Sequence, residues 1–147
     1  MEKEIKLSWR FNQSPEEVWD YLTRPELIEQ WLMKSDFKPI LGHRFRFTFI
    51  PKEGSNYEGM VNCEVLELEP HTRLSYSWNG KTKDQSRTFN SIVVWTLIPT
   101  GDGTELQLRH HGLTILEDIL NHTTGWNNCI KRCEELINAV KNDSTVA

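Results

Sequence analysis

The chain has 147 residues, a formal net charge of −4 and 37% hydrophobic residues. This length suits one domain with its own core. The acidic balance argues against nucleic acid or an anionic membrane surface as partner, and no apolar run approaches the roughly 20 residues of a membrane span. Three cysteines give no disulfide framework, and the charged first residues do not resemble a secretion signal, so we expect free thiols and a cytoplasmic location.

The chain is predicted to open with a strand and two short helices. Apolar and polar residues alternate over Glu4–Phe11, which is typical of a half-buried strand. Ser14, with Glu17 three residues later, has the spacing of a helix start. Pro25 predicts the start of a second short helix that ends near Leu32.

About five further strands are predicted between residues 44 and 111. In each of them apolar residues recur at every second position, and the strongest turn signal is the Pro- and Gly-rich segment 99–103. Consecutive strands with short connections predict an antiparallel sheet, and helices set apart from the sheet predict an α+β fold. The predicted strands are 44–50, 57–69, 74–78, 89–98 and 104–111.

A long helix is predicted over Ile115–Lys141. About 25 helical residues span about 38 Å, and such a helix has to lie across the sheet. Residues 142–147 are expected to form a flexible tail. The apolar stripe of the helix consists of Trp126, Ile130, Cys133, Ile137 and Val140.

Five local features, in this order, resemble the START-like or SRPBCC superfamily, and more narrowly its branch of homologues of the activator of heat-shock-90 chaperone ATPase. The resemblance implies a single domain over 1–147 with a helix-grip fold, in which a curved antiparallel sheet of about six strands wraps around the C-terminal helix. The features are Ser14-Pro15-Glu16-Glu17-Val18-Trp19, Pro25-Glu26 followed by Trp31, Gly59 opening a strand that runs to Glu69-Pro70 with Arg73-Leu74 and Trp78, Gly103-Thr104-Glu105-Leu106 running to His110, and Gly125-Trp126.

The same resemblance implies binding of lipids, sterols, polyketides or other apolar molecules between sheet and helix, and some members are cyclases or other enzymes. Chaperone-activating members carry an additional N-terminal domain. We expect this chain to lack that domain, because it opens on the strand Glu4–Phe11.

The inward faces of the predicted strands and of the long helix supply the candidate ligand-binding residues. Rings and aliphatic side chains in this number indicate either an apolar pocket or a close-packed aromatic core. A pocket lined by rings would suit a flat apolar ligand. The candidates are Phe45, Phe47, Phe49, Tyr76, Trp78, Val93, Trp95, Leu108, His110, Trp126, Ile130 and Cys133.

Two of these residues are also candidate catalytic groups. His110 shares a face with apolar neighbours and has the chemistry of a general base near neutral pH, while Tyr76 carries a hydroxyl that needs a partner when buried. Cys129 and Cys133 lie one helical turn apart near His122, but no second ligand pair accompanies them, so we expect neither a metal nor a cofactor.

The leading hypothesis is therefore a non-enzymatic protein that binds a small apolar molecule between sheet and helix, with the segments 34–42 and 79–86 as lids. Two alternatives stay open: a cyclase- or hydratase-type enzyme that uses His110 or Tyr76, and a chaperone-linked interaction module with a filled core. The sequence leaves the oligomeric state open, and a dimer is compatible with it.

Overall fold

The computed structural model describes the backbone of residues 4–146 and the side chains of residues 4–139. The described chain contains seven strands and three helices. The strands are β1 (Glu4–Phe11), β2 (Lys34–Ser35), β3 (Arg44–Thr48), β4 (Met60–Glu69), β5 (Arg73–Lys81), β6 (Thr88–Thr100) and β7 (Gly103–His111), and the helices are α1 (Pro15–Thr23), α2 (Pro25–Trp31) and α3 (Leu116–Val146).

All seven strands belong to one antiparallel sheet with the order β1-β7-β6-β5-β4-β3-β2. The first strand pairs with the last, so that Leu7 lies opposite Leu108. The register of β4 and β5 shifts between Val65 and Glu67, and such a bulge increases the local twist that curls a sheet. This curled sheet with a C-terminal helix confirms the predicted α+β helix-grip fold.

The sheet has one strand more than the predicted number of about six. The additional strand β2 has only two residues, Lys34 and Ser35, which pair with Thr48 and Phe47. A strand needs about four residues before its alternation is visible, and the sequence pattern therefore gave no sign of β2.

The two short helices form where the sequence predicts them. The Ser14 hydroxyl accepts a hydrogen bond from the backbone N–H of Glu17 (3.3 Å), which caps the first turn of α1. Trp31 at the end of α2 is buried, and its indole N–H donates to the carbonyl of Tyr21 in α1 (2.8 Å). The pair of helices is thereby fixed as one brace against the sheet.

Helix α3 packs on the sheet through the predicted stripe. Trp126, Ile130, Cys133 and Ile137 are all buried, whereas the side chain of Val140 lies outside the described residues. At 1.5 Å rise per residue the helix is long enough to cross the sheet. None of the helices in residues 4–146 is long and apolar enough to cross a membrane.

Several predicted elements have different ends in the structure; β5, for example, continues to Lys81, beyond its predicted end at residue 78. α3 continues to Val146, beyond its predicted end at Lys141. The expected tail 142–147 therefore overlaps the helix, and Ala147 lies outside the described residues. β3 ends at Thr48, so Phe49 has left the strand and is 36% exposed.

Gly103 at the start of β7 lies against the backbone of β1. A Cβ atom added at Gly103 would stand 2.2 Å from the carbonyl oxygen of Phe11, a distance that real Cβ atoms do not reach. Glycine at this position therefore allows the first strand to pair with the last, which brings β1 into the sheet.

Replacing Gly103 with alanine should destabilise the protein by about 2 kcal/mol, because overpacking forces the backbone to shift. Chemical denaturation measures this loss. Asp102→Ala, in the exposed turn before it, serves as control and should stay within about 0.5 kcal/mol of wild type. Equal stability of the two variants would contradict the close approach of β1 and β7.

Candidate ligand cavity

A cavity of about 220 Å³ lies between the first half of α3, the end of β5 and the connection between β3 and β4. Most of its wall consists of aromatic and aliphatic side chains. The lining residues are Leu32, Met33, Phe49, Tyr57, Glu58, Gly59, Met60, Val61, Trp78, Lys81, Phe89, Asn121, His122, Gly125, Trp126 and Cys129.

Two glycines in the wall help to keep this space empty. A Cβ atom added at Gly125 of α3 would meet no atom within 4 Å, so the missing side chain leaves free volume beside the helix. Gly59 has φ +94°, and its added Cβ would stand 2.7 Å from the carbonyl oxygen of Phe49. Gly59 therefore lets the connection between β3 and β4 fold closely over the cavity.

Three residues define the exposed side of the cavity. Phe49 is partly exposed, and the ammonium group of Lys81 lies 3.9 Å from the carboxylate of Glu58. Because both members of this pair are substantially exposed, the pair contributes little to stability. It places one cation and one anion at the mouth of an otherwise apolar space.

The imidazole of His122 connects α3 to the sheet at the wall of the cavity. Its Nδ1 lies 2.7 Å from the carbonyl oxygen of Asp118, and its Nε2 lies 3.2 Å from the indole nitrogen of Trp78 on β5. A carbonyl only accepts and an indole N–H only donates. His122 is therefore neutral, with its proton on Nδ1.

His110 on β7 makes a second connection of the same kind. Its Nδ1 accepts from the indole N–H of Trp126 (3.0 Å), and its Nε2 lies 2.8 Å from the hydroxyl oxygen of Ser91. Ser91 gives its own proton to the carbonyl of Trp78 (2.7 Å). His110 therefore carries its proton on Nε2, the opposite tautomer to His122.

Burial lowers the pKa of both histidines. The pKa of His110 lies well below its ordinary value because of burial and the nearby His122. Burial also lowers the pKa of His122, against the opposing effect of the Asp118 carbonyl and charge. The centroids of the two rings lie 5.2 Å apart. Because the pKa of each ring is lowered, both histidines are neutral at neutral pH.

A polar cluster flanks the cavity where the connection between β3 and β4 meets α3. The hydroxyl of Tyr57 donates to Oδ1 of Asp118 (2.6 Å), and the guanidinium of Arg87 donates to the same oxygen (3.0 Å). The amide of Asn121 donates to the Tyr57 hydroxyl oxygen (3.3 Å). The cluster ties Tyr57 to the first turns of α3.

The charges of this cluster are fixed by its hydrogen bonds. Burial alone would raise the pKa of Asp118, but the hydrogen bonds from Arg87 and Tyr57 hold it below its ordinary value. The same contact with Asp118 raises the pKa of Arg87, and burial together with Asp118 raises the pKa of Tyr57. Near neutral pH the cluster therefore contains a carboxylate, a guanidinium and a neutral phenol.

A family model described as activator of Hsp90 ATPase homolog 1-like protein (AHSA1) matches residues 12–138. The chain belongs to this family. No curated protein matches the chain significantly.

Solved structures agree with the family assignment of this AHSA1-like chain. Protein MLL2253 from Mesorhizobium loti has 35% sequence identity and a TM-score of 0.83, with 93% of this chain and 98% of that chain covered. CalU16 from Micromonospora echinospora has 25% identity and a TM-score of 0.72, with coverage of 91% and 75%. The AHSA1 protein from Silicibacter pomeroyi shares the fold at 21% identity and a TM-score of 0.79, with coverage of 93% and 99%.

Of the twelve predicted ligand-binding residues, three line the cavity of the AHSA1-like chain: Phe49, Trp78 and Trp126. The other nine lie outside its lining and are buried in the core between sheet and helix, where their rings contact one another. For example, the centroids of Phe45 and Phe47 lie 5.4 Å apart. The nine residues are Phe45, Phe47, Tyr76, Val93, Trp95, Leu108, His110, Ile130 and Cys133.

Neither candidate catalytic residue lines the cavity. Both nitrogens of His110 are occupied by hydrogen bonds, as described above. The hydroxyl of Tyr76 accepts from the indole N–H of Trp95 (2.9 Å), and burial raises the pKa of Tyr76 far above its ordinary value. In this structure both groups support the packing of tryptophans.

The cysteines of α3 are placed differently from each other. Cys129 lines the cavity, and its sulfur accepts from Arg132 (3.3 Å), while Cys133 is buried in the core. Burial raises the pKa of both thiols, that of Cys133 to about 12. Within the described residues, no group of three or more histidine, cysteine or acidic side chains is arranged to hold a metal ion.

Sequence reasoning missed most of the cavity wall. Tyr57 and Asn121 were not singled out, and His122 was weighed only as a metal ligand. The segment at the mouth is the connection 49–59; of the predicted lids, 34–42 contributes nothing to the lining and 79–86 contributes Lys81. One available signal was the polar pair Asn121-His122 on a helix that packs against a tryptophan-rich sheet.

The buried neutral histidines predict a loss of stability in mild acid. Because folding lowers the pKa of His110, the unfolded chain binds more protons below about pH 6.5, so stability falls as the pH decreases through that value. Between about pH 7.5 and about pH 5.5, His110 alone should lower the free energy of unfolding by roughly 1 kcal/mol. Urea denaturation at several pH values in this range measures how steeply the free energy of unfolding depends on pH.

His110→Gln should flatten the pH dependence, because glutamine does not titrate. Its neighbour in register, Val93, is buried. Val93→Ala therefore serves as a matched control, which lowers stability but keeps the slope. A slope in His110→Gln as steep as in wild type would contradict the buried neutral histidine.

Proposed function

We propose that this chain is a small binding protein that holds an apolar ligand in the cavity between α3 and the sheet. The observation that carries the proposal is an unfilled space of about 220 Å³ with aromatic and aliphatic walls inside an otherwise tightly packed core. The family fold is compatible with ligand binding. The cytoplasmic location and the single domain over 1–147 stay predictions, and the oligomeric state stays open.

The size and the walls favour a flat aromatic ligand over a long lipid-like chain. An apolar cavity of about 150 Å³ accommodates benzene, and drug-sized ligands occupy about 300 Å³ or more. A cavity of about 220 Å³ therefore fits one or two fused rings. The rings of Phe49, Trp78, Phe89 and Trp126 offer faces and edges for stacking.

Burial of the ligand supplies a modest affinity. A two-ring aromatic that buries about 150–250 Å² gains about 4–6 kcal/mol at about 25 cal/mol per Å². Before the costs of association and any polar contact are counted, this corresponds to a Kd between about 1 mM and some tens of micromolar.

The other two functions have less support. An enzyme of the cyclase or hydratase type would need His110 or Tyr76 beside the ligand, and neither lines the cavity. A chaperone-linked interaction is supported by the family's description alone.

A thermal-shift and calorimetry series with naphthalene, 2-methoxynaphthalene and palmitate tests the binding function. A naphthalene-type ligand at about ten times its Kd should stabilise the fold by about 1.4 kcal/mol, which raises Tm by about 3–6 °C. Palmitate should give a smaller shift. Native mass spectrometry of freshly purified protein would detect a ligand carried through purification.

Gly125→Leu should abolish this shift, because the leucine side chain occupies the free volume beside Gly125. The unliganded variant should stay folded, since leucine favours a helix by about 1 kcal/mol over glycine. Asn128→Leu adds the same side chain at an exposed position of α3 and should bind like wild type. If no aromatic binds wild type, or if Gly125→Leu binds as well as wild type, the proposed site is wrong.

A further inference from the structure

Apart from the exposed pair of Lys81 and Glu58 at its mouth, the cavity offers its ligand few polar groups, and most of these are already used. The indole N–H of Trp78 is taken by Nε2 of His122, and Nδ1 of His122 is taken by the carbonyl of Asp118. The indole N–H of Trp126 is taken by His110. These residues therefore present ring faces and edges to a ligand and no free hydrogen-bonding group.

Tyr57 differs from these residues, because its hydroxyl proton is directed away from the cavity. Tyr57 and Asn121 line the cavity, whereas Asp118 does not line it and is only 1% exposed. The hydroxyl donates to Asp118 over a short distance of 2.6 Å. The residue Tyr57 thus stands between the cavity and a buried carboxylate.

The carboxylate behind Tyr57 fixes the direction of this proton. Arg87 donates to the same oxygen of Asp118 (3.0 Å) and keeps the carboxylate ionised. A hydrogen bond to an ionised acceptor is stronger than one between neutral groups. Tyr57 therefore keeps its proton, directed at Asp118, and can serve a ligand only through the lone pairs of its oxygen.

One lone pair of this oxygen is engaged by a weaker contact. The amide of Asn121 donates to it at 3.3 Å, near the upper limit for a hydrogen bond. A phenolic oxygen has a second acceptor position. Donation to Asp118 polarises the hydroxyl, and hydrogen bonds in such a chain strengthen one another.

We propose that the cavity selects flat aromatics that carry a hydroxyl or N–H donor, which the oxygen of Tyr57 accepts. Phenol-, naphthol- and indole-type molecules are the matching class, and ethers or esters of the same ring size are disfavoured. This selectivity rests on the proposed binding function. The inference also specifies the orientation of the bound ligand. Its rings lie against Trp78 and Trp126, and its donor points to Tyr57.

The test compares 2-naphthol with 2-methoxynaphthalene by isothermal titration calorimetry near neutral pH. The two compounds share the same ring system, but the ether has no proton to donate. Wild type should bind 2-naphthol about fivefold to tenfold more tightly, as expected for one hydrogen bond between neutral groups. Tyr57→Phe should bind both compounds within about twofold of each other, whereas a preference for 2-naphthol as strong as in wild type would overturn the role of Tyr57.

Asn121→Ala provides a second variant at an exposed position. It removes the competing donor from the oxygen of Tyr57, so the preference for 2-naphthol should persist or increase. Loss of the preference in this variant would assign the acceptor to Asn121 and overturn the role of Tyr57.

The remaining outcomes separate this inference from the binding function. Equal affinity of wild type for both compounds would overturn the donor selectivity and leave the binding function standing. Preference of wild type for the ether would likewise overturn the donor selectivity and leave the binding function standing. Binding of neither compound would overturn the binding function, and the selectivity with it.

Discussion

Two hydrogen bonds between tryptophan and histidine hold the long helix to the sheet, and the rest of the interior depends on them. Trp78 of β5 donates to His122 of α3, and Trp126 of α3 donates to His110 of β7. Each bond joins a residue of the sheet to a residue of the helix. The sheet supplies the donor in the first bond, and the helix supplies it in the second. An unpaired polar group at this depth would cost about 1–3 kcal/mol, so the four rings are held in a single arrangement.

The cavity follows from this arrangement. The centroids of Trp78 and Trp126 lie 5.0 Å apart, and rings fixed by polar partners do not collapse into adjacent free volume. Next to them, Gly125 supplies no side chain to fill the space. Tyr57, whose ring centroid lies 6.0 Å from that of His122, is tied to Asp118 and completes the wall. The polar contacts that order the core thus leave an apolar space beside it, and the hydroxyl of Tyr57 in its wall is oriented by a buried charge.

Local patterns predicted most of the elements and the α+β class, and the family resemblance predicted their helix-grip arrangement. The alternation in Glu4–Phe11 and the cap at Ser14 depend on residues close in sequence, and the structure confirms both. The cavity could not be predicted in the same way, because its wall joins residues that are distant in the chain. Tyr57 meets Asp118 across 61 positions, and Trp78 meets His122 across 44. Alternation also does not distinguish a ring that lines a space from a ring that fills a core, and the candidate list therefore contained both kinds.

The most direct test of this account is the protonation of the two buried histidines, observed by long-range ¹H–¹⁵N NMR correlation of the imidazole nitrogens near neutral pH. The account predicts two neutral rings of opposite tautomer, with the proton on Nε2 in His110 and on Nδ1 in His122. His110 should stay neutral well below about pH 6.5, the ordinary histidine pKa, and the pKa of His122 should also lie below that value. Two rings of the same tautomer, or a charged imidazole at neutral pH, would contradict the paired contacts between helix and sheet.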